Sequence, residues 1–207
     1  MGKLIVFEGN ECSGKTTVIH LVKEKLLSAG YSVMATREPG GTKAGEDIRS
    51  IILDREYPQP INGRTEALLY AASRSEMVDK VLVPLRGKYD FVILDRYYYS
   101  SLVYQGAVRG LGQFAYEVNR LFIKEYPPDL AIFLDITAET RIQRLSRRVN
   151  EQNRLDKEPL EFLAQVDDAY HELVKRMPEM VSVDANGDLD GVVNECYRKI
   201  LETIKEG

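Results

Sequence analysis

A segment near the N-terminus has the residue types and spacing of a phosphate-binding loop, or P-loop. The run Gly9-Asn10-Glu11-Cys12-Ser13-Gly14-Lys15-Thr16 matches the pattern G-x-x-x-x-G-K-[ST]. Glycines let successive backbone N–H groups point at phosphate oxygens, and the start of the helix that follows adds positive charge. We therefore predict that residues 9–17, ending at Thr17, bind a nucleotide, with Lys15 on its phosphates and the Thr16 hydroxyl on Mg²⁺.

A carboxylate and a guanidinium, Asp95 and Arg96, stand side by side at the end of an apolar run that begins at Phe91. An acidic residue after such a run can organise Mg²⁺ or its bound water, and the arginine can contact a transferring phosphoryl group. The run from Leu130 to Asp135 has a similar shape, but no arginine follows it. We therefore predict that Asp95 binds the metal and that Arg96 is catalytic.

A basic segment follows in the second half of the chain. Arginines occupy positions 141, 144, 147, 148 and 154, and the apolar periodicity ends after Leu145. This pattern predicts a helix that runs into a mobile basic loop, although a solvated charged surface has the same spacing.

Short apolar runs alternate with longer segments of helical periodicity, which is the pattern of an α/β protein. The runs are nearly continuous, as in a parallel sheet buried on both faces, and the carboxyl ends of such strands share the edge where ligands bind. We predict a five-stranded parallel sheet with helices on both faces. The predicted strands are 4–7, 32–36, 91–94, 130–134 and 181–183, and the clearest predicted helices are 15–29, 64–85, 113–124, 160–176 and 189–205.

Size and composition limit the possible partners. The 207 residues favour a single domain over residues 1–207, and the apolar content of 44% is sufficient for a core. A net charge of −4 at pH 7 argues against a nucleic-acid partner. No apolar run approaches the roughly 18 residues of a membrane span, and no signal-peptide pattern is present, so we expect a cytoplasmic protein without a membrane partner. Cys12 and Cys196 have no metal-ligand spacing, and we expect two free thiols.

A P-loop alone leaves kinases, GTPases and motor-like ATPases open. Two D-x-x-G matches begin at Asp184 and Asp188, whereas the only segment similar to N-K-x-D lies earlier, at 153–156. This order is the reverse of the GTPase order, and Arg154 replaces the lysine that reads the base. The sequence therefore argues against a GTPase.

With these motifs in place, the chain resembles the thymidylate kinase family over essentially its whole length. The resemblance rests on Phe7-Glu8-Gly9, Thr36-Arg-Glu-Pro-Gly-Gly-Thr42, Leu69-Tyr-Ala-Ala-Ser-Arg74, Asp95-Arg-Tyr97, Ser100-Ser101, Tyr104-Gln-Gly106 and Arg154-Leu-Asp-Lys-Glu158. Members of this family phosphorylate dTMP to dTDP with Mg-ATP, a step of dTTP biosynthesis. The resemblance implies a P-loop kinase fold, a mobile basic lid at about residues 146–157, and a homodimer.

The resemblance also implies roles at the acceptor site. Tyr70 would stack on the thymine, and Ser101 would face the edge of that base. Arg49 and Arg74 would hold the phosphate of dTMP. Tyr104 would crowd the 2′ position of the sugar and so disfavour ribonucleotides.

Further roles concern the P-loop, the neighbouring turn and the lid. Glu11 would meet the deoxyribose 3′-OH or the phosphates, and Glu38 with Pro39 would border the acceptor pocket. The P-loop interior contains no arginine, so the cation that stabilises the transferring phosphoryl group would come from the lid, as Arg148 or Arg154.

Three positions depart from the family pattern and leave the base preference open. Tyr99 replaces an acidic residue, Glu76 replaces a glutamine, and Asn153 replaces an aspartate before the lid arginine. We expect the first two to line or adjoin the acceptor pocket.

Two other functions compete with dTMP phosphorylation. A P-loop kinase for another monophosphate or for a nucleoside is one, and for a nucleoside only Glu11 or Glu38 could act as the base. A non-catalytic nucleotide-binding protein is the other. The presence of Lys15, Thr16 and the pair Asp95-Arg96 argues against the second alternative.

Overall fold

The computed structural model of the chain describes residues 2–53, 61–85, 87–146 and 160–205. Within these residues a five-stranded sheet has the order β2-β3-β1-β4-β5, and every pairing is parallel. The strands are β1 (Lys3–Glu8), β2 (Val33–Arg37), β3 (Phe91–Asp95), β4 (Leu130–Asp135) and β5 (Met180–Asp184). The predicted α/β class, strand number and parallel pairing are confirmed.

Nine α-helices lie in the described residues, and two short π-helical segments extend two of them. The helices are α1 (Lys15–Ser28), α2 (Lys43–Leu53), α3 (Gly63–Met77), α4 (Val83–Leu85), α5 (Tyr98–Ser101), α6 (Gly112–Glu125), α7 (Ala138–Ser146), α8 (Leu160–Arg176) and α9 (Leu189–Lys205). The π-helical segment Val78–Leu82 joins α3 to α4, and the segment Leu102–Val108 continues α5. All five predicted helices are present.

Two helical stretches were not predicted from the sequence. Helix α2 has the apolar spacing of an amphipathic helix, at Ile48, Ile51 and Ile52, and the prediction did not use this signal. The stretch Tyr98–Val108 is mostly buried and rich in tyrosine, so it lacks the polar face that marks a surface helix.

The sheet separates two apolar clusters because successive strand residues point to opposite faces. On one face, Ile5 and Ile93 pack with α1 and α9. On the other, Val6 and Leu94 pack with helices α3 and α8. Both faces are therefore covered, as a nearly continuous apolar strand requires.

The carboxyl ends of the three strands β1, β2 and β3 are held at one level. Asp95 is in register with Phe7 on one side and with Arg37 on the other. Backbone hydrogen bonds continue beyond the strands, from Arg96 N–H to Phe7 C=O at 2.9 Å and from Glu38 N–H to Asp95 C=O at 2.9 Å. The site residues predicted at the ends of these strands therefore lie together at the carboxyl edge of the sheet.

The predicted lid lies outside the described residues, except for Ser146, which ends α7. Arg147, Arg148 and Arg154 belong to that part of the chain, so their roles stay predictions. Among the described residues, no helix combines the length and the apolar character that crossing a bilayer requires.

Candidate active site

A cleft of about 480 Å³ opens at the carboxyl edge of the sheet. Its walls come from the P-loop, the turn after β2, helices α2 and α3, and the segment after β3. Fifteen of the predicted site residues line it: Glu11, Cys12, Ser13, Gly14, Lys15, Thr16, Thr17, Glu38, Pro39, Arg49, Tyr70, Asp95, Arg96, Ser101 and Tyr104. Folding therefore joins the predicted phosphate loop and the predicted acceptor residues in a single cavity.

The P-loop wraps tightly and leaves polar groups directed inward. A Cβ atom on Gly9 would lie 2.7 Å from Ser13 Oγ and 3.1 Å from Leu134 C=O, so only glycine fits there. Gly14 has a φ of 88° immediately before α1. Ser13 Oγ is buried and, within the described part of the chain, has no hydrogen-bond partner. Such a hydroxyl is suited to a ligand oxygen.

Lys15 is held against the loop that it follows. Its Nζ donates a hydrogen bond to Gly9 C=O at 3.0 Å. Burial lowers the pKa of its ammonium, and the nearby Arg96 guanidinium lowers it further. A bound phosphate would offset the effect of burial, because its negative charge stabilises the charged ammonium.

Arg96 occupies a strained backbone position at the centre of the cleft. Its φ is 69°, in the left-handed region that residues other than glycine seldom adopt. The guanidinium pairs with the Glu11 carboxylate at 2.9 Å and donates to Ser100 Oγ at 3.1 Å. It also lies 5.5 Å from the centre of the Tyr104 ring. The guanidinium is thus fixed beside the P-loop before any ligand binds.

The buried carboxylate of Glu8 fixes the turn that carries Arg96. No role was predicted for Glu8 from the sequence. Glu8 is 0% exposed and accepts hydrogen bonds from the Tyr97 N–H at 2.8 Å and the Ser100 hydroxyl at 2.6 Å. The Tyr170 hydroxyl donates to it at 2.8 Å. A charged residue that ends an otherwise apolar strand was the only signal of this role in the sequence.

Glu38 and Pro39, two of the predicted acceptor residues, line the cleft directly after β2. The peptide bond between them is cis. Burial raises the pKa of Glu38 to about 7, although the Arg74 guanidinium opposes this change. Its Oε1 is buried and has no hydrogen-bond partner among the described residues. Arg49 lines the same side and donates to Pro39 C=O at 3.1 Å.

Arg74 differs from its predicted placement. It is 1% exposed and does not line the cleft; its Nε pairs with Glu38 at 2.7 Å, and its Nη1 donates to Ser101 Oγ at 3.3 Å and to Asn119. Because these partners surround the guanidinium, this geometry gives Arg74 a supporting position behind Glu38 and Ser101. It does not present Arg74 to a phosphate in the cleft.

Gly9 and Asn10 lie beside the cleft without lining it, although the P-loop pattern includes them. Asn10 is 1% exposed, and its side chain binds helix α8. Gly9 therefore allows the tight turn of the loop, and the Asn10 side chain points away from the cavity.

The sequence predicts that Tyr99 and Glu76 line or adjoin the acceptor pocket. Neither residue lines the cleft, and that they adjoin it stays a prediction. Tyr99 is 0% exposed and donates to Glu179 Oε1 at 2.6 Å, within the core on the other side of its short helix. The departure from the family pattern at these positions therefore lies outside the cavity.

The structure adds cleft residues that no sequence motif marked. Glu66 accepts from Gln105 Nε2 at 2.8 Å and pairs with Arg109 at 3.2 Å. On the P-loop side, Arg144 donates to Cys12 C=O at 3.3 Å and to Ser13 C=O at 3.2 Å. Each comes from an element distant in sequence, so spacing along the chain gave no indication of them.

Thr16 and Asp95 both line the cleft and fit the predicted metal. Hydroxyl and carboxylate oxygens are the donors that Mg²⁺ prefers, and it is usually held by one or two carboxylates together with substrate phosphates and water. In the described part of the chain, no group of three or more His, Cys, Asp or Glu side chains could hold a metal ion. This donor set suits a metal that arrives with a nucleotide.

Comparisons with known proteins agree with this site. The family model described as thymidylate kinase matches residues 7–196. A thymidylate kinase of Staphylococcus haemolyticus (strain JCSC1435) is 44% identical over 207 residues, covering 99% of this chain and 100% of the relative. One from Shouchella clausii (strain KSM-K16) is 41% identical over 202 residues, covering 96% of this chain and 94% of the relative. A crystal structure of thymidylate kinase from Ehrlichia chaffeensis superposes with a TM-score of 0.75 at 28% identity, covering 96% of this chain and 98% of that one.

Proposed function

This chain belongs to the thymidylate kinase family, and from that premise we propose that its cleft transfers the γ-phosphoryl group of Mg-ATP in line to the phosphate of dTMP. The protein is an enzyme that phosphorylates dTMP to dTDP. One observation supports the residue assignments: the P-loop and the cationic acceptor side line one continuous cavity, with Arg96 between them.

The donor nucleotide is assigned to the P-loop. Backbone N–H groups of residues 9–17 and the start of α1 bind its phosphates, and Lys15 places a charge beside them. Thr16 and Asp95 would hold Mg²⁺, which when bound neutralises charge on the β- and γ-phosphate oxygens.

The acceptor is assigned to the side formed by β2, α2 and α3. Arg49 would hold its phosphate, because a guanidinium matches two phosphate oxygens at once. Tyr70 would cover one face of the base, and Ser101 would contact the base edge. Arg74 is assigned to positioning Glu38 and Ser101 from behind.

The reaction needs no general base. A phosphate monoester has a second pKa near 6, so the attacking oxygen of dTMP is already deprotonated at pH 7. The barrier comes instead from bringing two polyanions together, and cations held in a fixed geometry reduce it. Arg96 suits this role because Glu11, Ser100 and its own backbone fix its position.

An acceptor panel tests the proposed function. Release of ADP from Mg-ATP would be measured with dTMP, dUMP, UMP, dCMP, dGMP, AMP and thymidine. We expect dTMP to be preferred, with dUMP weaker by about 1–3 kcal/mol in transition-state binding, because dUMP lacks one methyl group.

Other outcomes of the panel would revise the proposal in defined ways. Faster turnover of dGMP or dCMP than of dTMP would leave the phosphate roles and overturn the roles of Tyr70 and Ser101. The absence of turnover with every acceptor would favour a non-catalytic nucleotide-binding protein.

We also infer a homodimer, as expected for the family. Leu68 on α3 and Leu121 on α6 are 53% and 52% exposed, and these two helices pack against each other. Tyr116 on α6 is also exposed. Apolar side chains on adjacent helices favour an interface with a second copy. The cytoplasmic location stays a prediction from the sequence.

A further inference from the structure

A polar cluster lies behind the P-loop, outside the cleft. It consists of Asn10 in the P-loop, Arg141 on α7 and Asp167 on α8, and we refer to it as the rear cluster. Asn10 and Arg141 are 1% and 2% exposed. The rear cluster joins three elements that are distant in sequence, and the roles assigned above do not use it.

The Asn10 amide is fully engaged. Its Nδ2 donates to Leu163 C=O at 3.0 Å and to Asp167 Oδ1 at 2.9 Å. Its Oδ1 accepts from the Glu11 N–H at 2.8 Å. Both donors of the amide point to α8 while its oxygen holds the P-loop backbone, so the orientation of the side chain is fixed.

Asp167 connects this amide to α7. Its Oδ1 accepts from Asn10, and its Oδ2 accepts from Arg141, whose side chain is 3% exposed. One carboxylate therefore links the P-loop and both helices. The Asp167 side chain is 17% exposed, so the carboxylate is partly buried. With a guanidinium and an amide as partners it is more directional than a packing contact, because each oxygen must face its donor.

The contacts of Asn10 extend into the cleft through the next residue. The Glu11 N–H donates to Asn10 Oδ1, and the Glu11 carboxylate holds Arg96 at 2.9 Å. A displacement of Asn10 would therefore change both the P-loop N–H groups and the carboxylate that orients Arg96.

We propose that Asp167 is a positioning residue that holds the P-loop in its nucleotide-binding conformation through Asn10. This inference rests on the proposed binding of the donor nucleotide at the P-loop. Asp167 does not touch the cleft and acts only through Asn10 and Arg141.

The test is the affinity for a fluorescent ADP analogue, measured for Asp167→Ala and Asp167→Asn. Removing a negative charge near a polyanion site would by itself tighten binding, whereas loss of positioning would weaken it. We expect at least fivefold weaker binding for Asp167→Ala. Asp167→Asn keeps the shape of the side chain and guards against a variant that fails to fold.

His171→Ala provides the matched control. His171 lies one turn further along α8 and contacts Asp135 at 2.8 Å, but it does not touch the P-loop. We expect its affinity to stay within twofold of the wild type. Equal weakening in His171→Ala and Asp167→Ala, or unchanged or tighter binding in both Asp167 variants, would overturn the proposal.

A kinetic measurement separates this inference from the proposed function. Asp167→Ala should raise the KM for Mg-ATP by a larger factor than the KM for dTMP. Asp167 reaches the acceptor side only indirectly, through Asn10, whose Oδ1 also accepts from the Tyr104 hydroxyl at 3.5 Å. If the wild-type protein does not phosphorylate dTMP, the proposed function fails. Binding of the ADP analogue still tests the role of Asp167 in that case.

Discussion

Arg96, to which we assign a catalytic role, is held in place by its backbone and by its neighbours. Its backbone is in the left-handed region, its side chain pairs with Glu11, and its N–H is bonded to β1. Strain of this kind persists only where the surroundings impose it, and it is concentrated at functional sites. The guanidinium therefore does not need to reorganise when charge develops between the two nucleotides.

The first prediction concerns Arg96→Ala. Removing one preorganised electrostatic group from an active site costs about 10²–10³ in kcat, and we expect a loss of this size in the ADP-release assay. The kcat of Arg96→Lys should lie between those of Arg96→Ala and the wild type, because an ammonium keeps the charge but not the planar fork. Arg120→Ala, at an exposed pair with Glu117, should keep the wild-type rate. An Arg96→Ala variant within threefold of the wild type would contradict the assigned role.

The second prediction is a pH dependence caused by Glu38. Its pKa is raised from 4.5 to about 7 by burial, so the folded state holds a proton that the unfolded state releases between these values. The stability contributed by this group is therefore present at low pH and decreases as the pH rises to 7. In Glu38→Gln, which mimics the protonated carboxyl, this decrease should be absent.

Urea unfolding of both proteins without ligands, from pH 5 to pH 8, measures this difference. With about 1.4 kcal/mol for each pKa unit, the stability of Glu38→Gln relative to the wild type should rise by on the order of 3 kcal/mol. Glu46→Gln is the control. Burial raises the pKa of Glu46, but the Gly41 N–H together with the Arg37 and Arg49 guanidinium groups outweighs burial and lowers the pKa below its usual value. The stability that ionised Glu46 contributes to the fold should instead be lost as the pH falls. A parallel pH dependence in Glu38→Gln and the wild type would show that Glu38 is not protonated in the fold.

At the residue scale, contiguous motifs were predictable and isolated contacts were not. The P-loop motif lies in eight consecutive residues, and its phosphate geometry follows from local backbone conformation. Glu66 reaches the cleft only through tertiary packing, and its neighbours in sequence gave no chemical indication of it. Glu8 directly precedes the P-loop, but its hydrogen bonds to the segment after β3 and to α8 depend on tertiary packing. Arg74 was placed on a phosphate because its residue type fits one, whereas burial against Glu38 and Asn119 determines its actual position.

At the scale of elements, strands were easier to predict than short helices. A strand buried on both faces appears in sequence as a continuous apolar run, and all five runs form strands. Helix α2 carries Arg49 and has amphipathic spacing that the prediction did not use. The segment after β3 carries Ser101 and Tyr104 and is mostly buried, so it lacks a polar face. Of the elements that line the cleft, this segment is therefore the one whose structure depends most on packing.

The third prediction concerns the basic segment between α7 and α8. The P-loop interior has no arginine, so a lid arginine is expected to stabilise the transferring phosphoryl group. Arg148→Ala and Arg154→Ala should be compared in the same ADP-release assay. We expect at least a tenfold loss of kcat for one of the two. Near-normal turnover for both would contradict a catalytic lid arginine.

At the scale of the whole molecule, both layers of helices expose apolar side chains, among them Leu27 on α1 and Leu189 on α9. Helices α3 and α6 expose Leu68 and Leu121 on one side of the sheet, and α1 lies on the other side with α9. The proposed dimer interface thus belongs to the layer that also supplies the acceptor side of the cleft.

The fourth prediction tests this interface. The double variant Leu68→Glu/Leu121→Glu should sediment as a monomer, since a dimer would bury four uncompensated carboxylates. Leu27→Glu is the matched control, because Leu27 is 41% exposed on α1 in the opposite layer. We expect that control to sediment as a dimer. A double variant that remains dimeric would place the interface elsewhere.

The proposed donor and acceptor sides of the cleft come from different elements. The P-loop and α1 build the proposed donor side, and α2, α3 and the turn after β2 build the proposed acceptor side. The Glu38 N–H donates to Asp95 C=O and joins the turn after β2 to β3. On this assignment, substitutions on the acceptor side would alter which nucleotide is recognised while the phosphate loop keeps its sequence. A library restricted to Leu53, Tyr70, Ser101 and Gln105 would explore new acceptors on an inherited phosphoryl-transfer apparatus.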